Sequence, residues 1–386
     1  MDIRPRILKI NLPKGQSAFL WGPRKTGKTT YLKNKFPESI YFDFLKTDLV
    51  LELSKNPSLF RERILAKDIV RIKSPIILDE VQKVPGVLDE VHWLIENKHL
   101  SFILCGSSAR KLKRSKANLL GGRAWRFEMF PLVSAEMDKF ELLPALNRGL
   151  IPDHYFKNGY QQSLSAYIQD YLKEEIMAEG LARNIPAFAR FFDAVGYSHA
   201  EIINLSNIAR DAGVDSKTVR EYFQILADTL LGRWVEPYTR RPSRQIITRA
   251  SKFYLFDVGV ANAMAKRRIA EERGESFGRA FEHIIFMEIV AYSSYSGLHF
   301  PVHFWRTKSG LEVDFILGDG EIAVEVKGTS RLDSRDLRSL AAFQEGYSPK
   351  NAFIVCNEKE ERLTNRVRIY PWRRFLKALW AGEIIR

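Results

Sequence analysis

Gly22, Gly27, Lys28 and Thr29 stand in the pattern G-x-x-x-x-G-K-T within Ser17–Thr30, SAFLWGPRKTGKTT. A β-type run precedes the pattern and a helix-compatible segment, Thr30–Phe36, follows it, so the spacing predicts a strand, a phosphate-cradling loop and a helix. Glycines at both ends let the backbone close around phosphates, while the amides of Lys25–Lys28 and the helix N-terminus face negative charge. Lys28 would reach the β- and γ-phosphates of ATP and Thr29 would ligate Mg²⁺. Pro23, Arg24, Lys25, Thr26 and Thr30 complete the expected cradle. The alternative is an ordinary turn rich in Gly and Lys.

Hydrolysis needs more than a cradle. Ser74–Val81, SPIILDEV, places a Pro before a buried-type strand and two carboxylates at its end. Asp79 would hold Mg²⁺ through water, and Glu80 would orient and deprotonate the attacking water. A third strand-like run, Leu100–Cys105, ends in Gly106-Ser107-Ser108. Ser107 or Ser108 would sense the γ-phosphate, cap the following segment Ala109–Lys116, or do both. Arg123, after two glycines, is a candidate arginine finger for its own site or a neighbour's, or a plain surface arginine.

A second constellation lies near the C-terminus. LEVDFIL (Leu311–Leu317) carries Asp314 and EIAVEVKG (Glu321–Gly328) carries Glu325 and Lys327. Residues two apart in a strand share a face, which puts Glu325 beside Lys327, and a turn at Gly318–Gly320 brings Asp314 close. Two carboxylates there would bind Mg²⁺, Glu282 from a helix over Phe277–Ala291 would add a ligand, and Lys327 would position or activate water. The competing reading is a half-buried antiparallel sheet with an incidental Glu325–Lys327 ion pair.

Between these blocks, Asn204–Ala227 (NLSNIARDAGVDSKTVREYFQILA) reads as helix, turn at Gly213, and a second helix capped by Asp215 or Ser216. Lys217, Arg220 and Gln224 recur on its outer face, where a recognition helix meets the major groove of DNA. A helical hairpin with a solvated face is the alternative. The strand-like pair Gly232–Tyr238 and Lys252–Phe256 would form a wing around Arg240, Arg241, Arg244 and Arg249, residues suited to phosphate contacts.

The elements that must position these groups follow from pattern. Strands are expected at Ser17–Trp21, Ser39–Phe44, Ile76–Leu78, Phe102–Cys105 and Ala124–Glu128, alternating with helices as a parallel sheet requires. A mixed segment over 136–160 reads as linker or lid, and amphipathic helices are expected at Ser163–Glu179 and Ile185–Val195. The 386 residues are 45% hydrophobic, enough for two or three cores. Lys and Arg outnumber Asp and Glu by 60 to 46, a net charge of +14 that favours a polyanionic partner. Charge alone does not separate nucleic acid from a membrane surface. No run approaches the length of a membrane span and the N-terminus lacks a secretory apolar region, so the expectation is a cytoplasmic protein without membrane attachment. Cys105 and Cys356 lie in apolar runs, which argues against a disulfide framework or a zinc site.

GPRKTGKT, IILDEV, the GSS after the third strand, GGR followed by PLVSAEM, KFYLFDVGVANAM (Lys252–Met264), and WRTKSGLEVDFI with AVEVKG occur in this order. Together they resemble the bacterial and archaeal P-loop ATPases that join an AAA-type domain to the C-terminal domain known as DUF4143, over nearly the whole chain. The resemblance implies an α/β P-loop ATPase core over 1–135, a helical winged-helix domain over 161–273, and a restriction-endonuclease-like PD-(D/E)xK fold over 274–386. Asp314, Glu325 and Lys327 match that last motif. The expectation is an ATPase whose nucleotide state controls DNA engagement, with possible Mg²⁺-dependent cleavage, and homo-oligomers if Arg123 acts in trans. The alternative is an ATP-gated DNA- or protein-binding regulator with a silent nuclease-like domain.

Overall fold

The computed structural model describes residues 4–107, 120–172, 184–239 and 251–386. They form two compact units, Met1–Phe130 with Asp228–Leu231, and Pro131–Ala227 with Gly232–Arg386. No described helix is long and apolar enough to cross a membrane.

The first unit is built on a parallel sheet of β1 (Ser17–Trp21), β2 (Tyr41–Asp43), β3 (Ile76–Asp79), β4 (Phe102–Gly106) and β5 (Ala124–Glu128), in the order β2-β3-β4-β1-β5. The three central strands are buried along their whole length, as a parallel sheet covered on both faces demands, which is why their sequences are continuous apolar runs. Helices α1 (Lys28–Lys35), α2 (Thr47–Lys55), α3 (Ser58–Leu65) and α4 (Val87–Lys98) alternate with the strands. Val87, Leu88, Val91, Leu94 and Ile95 recur at helical spacing on α4 and pack with Phe60, Ile64, Phe102 and Leu104. All five expected strands are present, with ends within two residues of expectation.

In the second unit, residues 136–160 contain α5 (Leu142–Arg148) and α6 (Pro152–Phe156), and Leu142, Ala145 and Leu146 are core residues. The amphipathic stretch Ser163–Glu179 begins within helix α7 (Tyr160–Ala166) and continues as a wider π-type turn, Tyr167–Leu172, with Tyr167 buried against the rings of His154 and Phe256; its remainder lies outside the described residues. Helices α8 (Ile185–Ser198), α9 (Leu205–Ala212) and α10 (Ser216–Asp228) follow, then the antiparallel pair β6 (Gly232–Val235) and β7 (Lys252–Leu255). Aromatic rings knit these together, Phe223 of α10 meeting Phe191 of α8, Trp234 of β6 and Phe253 of β7. The expected longer first strand ends at Val235 because Pro237 has no N–H for the ladder; the chain turns to the strand Val302–Arg306, where Tyr238 N donates to Phe304 O at 2.6 Å.

Helix α11 (Val258–Met264) is capped by buried Asp257, whose Oδ1 accepts from Val260 N at 3.0 Å and whose Oδ2 accepts from Leu150 N at 2.7 Å. The long helix α12 (Glu275–Tyr295) packs on a sheet of β8 (Val302–Arg306), β9 (Glu312–Leu317), β10 (Ile322–Lys327), β11 (Asn351–Cys356), β12 (Arg362–Thr364) and β13 (Val367–Pro371), ordered β12-β13-β11-β10-β9-β8. The first three strands form an antiparallel meander, while β10, β11 and β13 run parallel. Helix α13 (Arg338–Tyr347) covers one face, and α14 (Trp372–Trp380) packs with α12 on the other.

Glu288 of α12 is fully buried and gathers three donors, Ser134 N at 2.7 Å, Ser134 Oγ at 2.8 Å and Trp380 Nε1 at 2.6 Å. Burial raises its pKa to about 7 against the pull of those donors. A raised folded-state pKa gives stability that is present below the ordinary carboxyl range and is lost as pH rises toward 7. Glu288→Ala, which orphans the donors, should lower the unfolding free energy by about 2–4 kcal/mol. The loss should be larger at pH 5 than at pH 8 in urea titrations; a gap that does not vary with pH contradicts the raised pKa.

Candidate functional sites

Strand register assembles the first site. Trp21 pairs with Gly106, and Cys105 pairs with Asp79, so β1, β3 and β4 end together and send Gly22, Glu80 and Ser107 out of the same carboxyl edge. Gly22 is required by close approach, because a Cβ there would collide with Met129 O. Gly27, at φ +94°, closes the loop in a conformation side chains disfavour and starts α1 at Lys28. The first helical bond runs from Tyr31 N to Gly27 O, so the amides of Lys28, Thr29 and Thr30 lie outside the helix's own ladder.

The side chains hold one another. Lys28 is buried and donates to Gly22 O at 2.7 Å and Pro23 O at 2.9 Å. Thr26 Oγ1 donates to Pro23 O at 2.8 Å. Thr29 Oγ1 donates to Asp79 Oδ2 at 2.6 Å, so the two oxygens expected to share Mg²⁺ are already adjacent. Tyr41 of β2 donates to the same Asp79 oxygen, and burial followed by that carboxylate drives the phenol pKa upward. Arg24 is half-buried, while Lys25 and Thr30 are exposed at the loop's rim.

Three contributors were not anticipated. Arg6, from the segment before β1, donates to Thr26 O at 2.6 Å and Phe130 O at 2.7 Å, bracing the loop from outside. Tyr41 is the second. Gln82 is the third: its amide nitrogen donates to Glu80 Oε2 and, at 3.1 Å, to Ser107 Oγ, linking the expected base to the third-strand serine. Gln82 Oε1 is buried without a partner. The spacing of Glu80 and Gln82 is a sequence signal in hindsight only, since the bridge depends on Glu80 adopting φ +58°. Arg123 is exposed and its guanidinium pairs with Glu96 of α4; Ser107 is buried, and Ser108 lies outside the described residues.

The second site sits where β9 and β10 splay. Their ladder runs from Leu317↔Ile322 to Phe315↔Val324; beyond it Asp314 Oδ2 takes the place of a backbone carbonyl and accepts from Val326 N at 2.8 Å. Glu325 and Lys327 share a face and form an ion pair at 2.6 Å, and Glu325 Oε2 is buried without a partner. Lys252 of β7 enters from the side. Its ammonium lies 3.0 Å from Glu282 Oε1, 2.6 Å from Glu312 Oε1 and 3.9 Å from Asp314 Oδ1. Tyr254, from the same strand, donates to Glu282 Oε1, and Arg306 pairs with Glu312 at 2.9 Å.

Burial, then the neighbouring Glu325 and Glu282, raise the Asp314 pKa well above the ordinary range. Burial raises Glu325 to about 7 despite Lys327. Burial works against the Lys252 charge, but Glu282, Tyr254, Asp314 and Glu312 outweigh it and hold the ammonium strongly protonated. Of the expected Mg²⁺ set, Glu282 and Asp314 therefore face Lys252 while Glu325 pairs with Lys327, and among the described residues no three His, Cys, Asp or Glu side chains are arranged to hold a metal ion. In this conformation the residues do not fit the metal. No sequence signal placed Lys252 there, since it lies 30 residues from Glu282 and 62 from Asp314.

On the helical segment, Asn204 Oδ1 caps α9 and Asp215 Oδ1 caps α10 through Lys217 N at 2.8 Å and Thr218 N at 2.9 Å. Ala209, Val219 and Leu226 are buried, and Lys217, Arg220 and Gln224 are exposed on α10. Arg240, Arg241, Arg244 and Arg249 lie outside the described residues.

Residues 14–137 match a family model described as an AAA domain, residues 142–271 a domain of unknown function (DUF8612), and residues 277–375 a domain of unknown function (DUF4143). An uncharacterized protein of Mycobacterium tuberculosis and one of Mycobacterium bovis are each 23% identical over 354 residues, covering 86% of this chain and 75% of the relative. The AAA match, together with the parallel sheet beneath it, supports ATP binding and hydrolysis by the N-terminal unit.

Gln82 fits beside Ser107 only because position 106 lacks a side chain: a Cβ on Gly106 would collide with Gln82 Oε1 and lie 2.8 Å from the Trp21 ring. Gly106→Ala should lower the unfolding free energy by about 1–3 kcal/mol, read by thermal and urea denaturation, and wild-type stability would show that the Gln82 bridge does not hold this geometry.

Proposed function

We propose that this chain is an ATP-hydrolysing switch whose nucleotide state controls its engagement of DNA. The contact that carries the first half is Thr29 Oγ1 against Asp79 Oδ2 at 2.6 Å, two hard oxygen donors beside a buried lysine and a buried glutamate at one sheet edge. The loop Gly22–Thr30 would hold the phosphates, with Thr29 and Asp79 holding Mg²⁺; when bound, the magnesium nucleotide supplies a phosphoryl group made electrophilic by metal charge. Lys28 would leave the Gly22 and Pro23 carbonyls and place its ammonium on the phosphate oxygens. Glu80 Oε2, which accepts from Gln82, would receive the proton of the attacking water. Gln82 ties that oxygen to Ser107, the candidate γ-phosphate contact, so the base and the phosphate sensor would move as one unit. An arginine finger in trans would require Arg123 to leave Glu96, and that role would make the active species a homo-oligomer.

DNA engagement rests on the net charge of +14 and on Lys217, Arg220 and Gln224, exposed along the capped helix α10. The two readings of the C-terminal site, a Mg²⁺-dependent phosphodiesterase and a silent nuclease-like domain, are separated by Lys252. An ammonium between Glu282 and Glu312 favours the silent reading in this conformation.

Lys28→Ala should reduce ATP turnover by about a hundredfold or more; hydrolysis at the wild-type rate would remove the proposal's first half. For the second, Lys217→Ala with Arg220→Ala should weaken DNA binding and make the slope of log K against log salt shallower by about one for each phosphate that the variant no longer neutralises. Absence of DNA binding at low salt would overturn it.

A further inference from the structure

We propose that Lys252 is the resident cation of the C-terminal carboxylate cluster, a built-in ammonium on the ground a hard divalent metal ion would occupy, so that the residues present exclude the metal. This rests on the reading of that site as silent in the present conformation, and it supplies the reason for the silence.

Lysine is rarely buried unless paired, and Lys252 is 3% exposed. It sits among carboxylates from two separate elements, Glu282 of α12 and Glu312 and Asp314 of β9, which would repel one another without it. An ordinary structural ion pair ends with its polar atoms satisfied. Here Glu325, 3% exposed, keeps Oε2 buried with no donor, although its other oxygen is held by Lys327. A buried carboxylate oxygen without a partner is an unused ligand position. Every candidate ligand is a carboxylate oxygen, a donor set suited to Mg²⁺ or Mn²⁺ and poorly suited to soft metals.

The cation and its cage belong to different elements. Lys252 belongs to β7, paired with β6 over four residues and bridged to Ile202, whereas the carboxylates of β9 and β10 are fixed by the six-stranded sheet and by the Val326 N to Asp314 hydrogen bond. Tyr254 of the same strand also donates to Glu282 Oε1, so β7 supplies both of these contacts to that carboxylate.

The test is Mn²⁺ binding to the full-length, nucleotide-free chain, followed by electron paramagnetic resonance of free Mn²⁺. Wild type should show no site that depends on Asp314. Lys252→Met, which keeps the aliphatic stem, should gain one site about tenfold or more tighter than anything in wild type, and Lys252→Met with Asp314→Asn should lose it. Two results overturn the proposal: wild type binding Mn²⁺ at a site that Asp314→Asn abolishes, or folded Lys252→Met binding no better than wild type. Should Lys252→Met alone not fold, Lys252→Met with Glu312→Gln removes one charge of each sign, and Mn²⁺ should raise its unfolding midpoint; no rise overturns the proposal. ATP turnover of Lys28→Ala reports on the N-terminal site alone, so a failure there leaves the Mn²⁺ result interpretable.

Discussion

A charge taken out of water must meet an opposite charge or a set of donors, and both units of this chain bury charges where strands end. In the first, Lys28, Asp79 and Glu80 are nearly inaccessible. Two carbonyls hold the lysine, the Thr29 and Tyr41 hydroxyls hold the aspartate, and Gln82 holds the glutamate. In the second, Lys252 meets Asp314, Glu282 and Glu312, and Glu325 meets Lys327. The conformation of the loop after β1, the turn at Glu80 and the placement of β7 all follow from where these charges find partners.

The partners in turn depend on register. In the parallel sheet the pairs Trp21↔Gly106 and Cys105↔Asp79 align three strand ends to a single edge. A one-residue slip would turn every side chain to the other face and separate Asp79 from Thr29. The C-terminal sheet uses the opposite device. There the β9–β10 ladder stops at Phe315↔Val324, and the Asp314 carboxylate continues it by accepting from Val326 N. One site is built by keeping strands in step to their ends, the other by letting them part.

Local pattern made much of this legible in advance. Parallel strands buried on both faces read as apolar runs such as FILC and IIL, so the positions and ends of the strands of the first sheet could be anticipated. The spacing of Gly22, Gly27, Lys28 and Thr29 carries its own loop geometry, and the period of two places Glu325 beside Lys327. What escaped notice is made by distance along the chain. Arg6 reaches Thr26 across 20 residues and Lys252 reaches Glu282 across 30. At the head of KFYLF, a lysine reads as the exposed start of a strand, because nothing local reports that three carboxylates wait on the other side. The motif KFYLFDVG is explained by its contacts in unit 2: Lys252 and Tyr254 meet the carboxylate cluster, Asp257 caps α11, and a Cβ on Gly259 would collide with Gly149 N.

The choice of lysine at position 252 is itself informative. An apolar residue there would leave Glu282, Glu312 and Asp314 facing one another in a poorly solvated space, a costly arrangement of like charges. Arginine would satisfy the charge, but its planar fork favours a bidentate grip on one carboxylate. An ammonium is a compact point charge with three donors, able to lie between carboxylates from α12 and β9 without belonging to either. It neutralises the cluster while leaving the oxygens where the sheet has put them, since Asp314 is held by Val326 N and Glu325 by Lys327 through contacts that do not involve β7. The geometry of Asp314 and Glu325 is thus a property of the sheet, and the cation that faces Glu282, Glu312 and Asp314 is a property of a strand beside it.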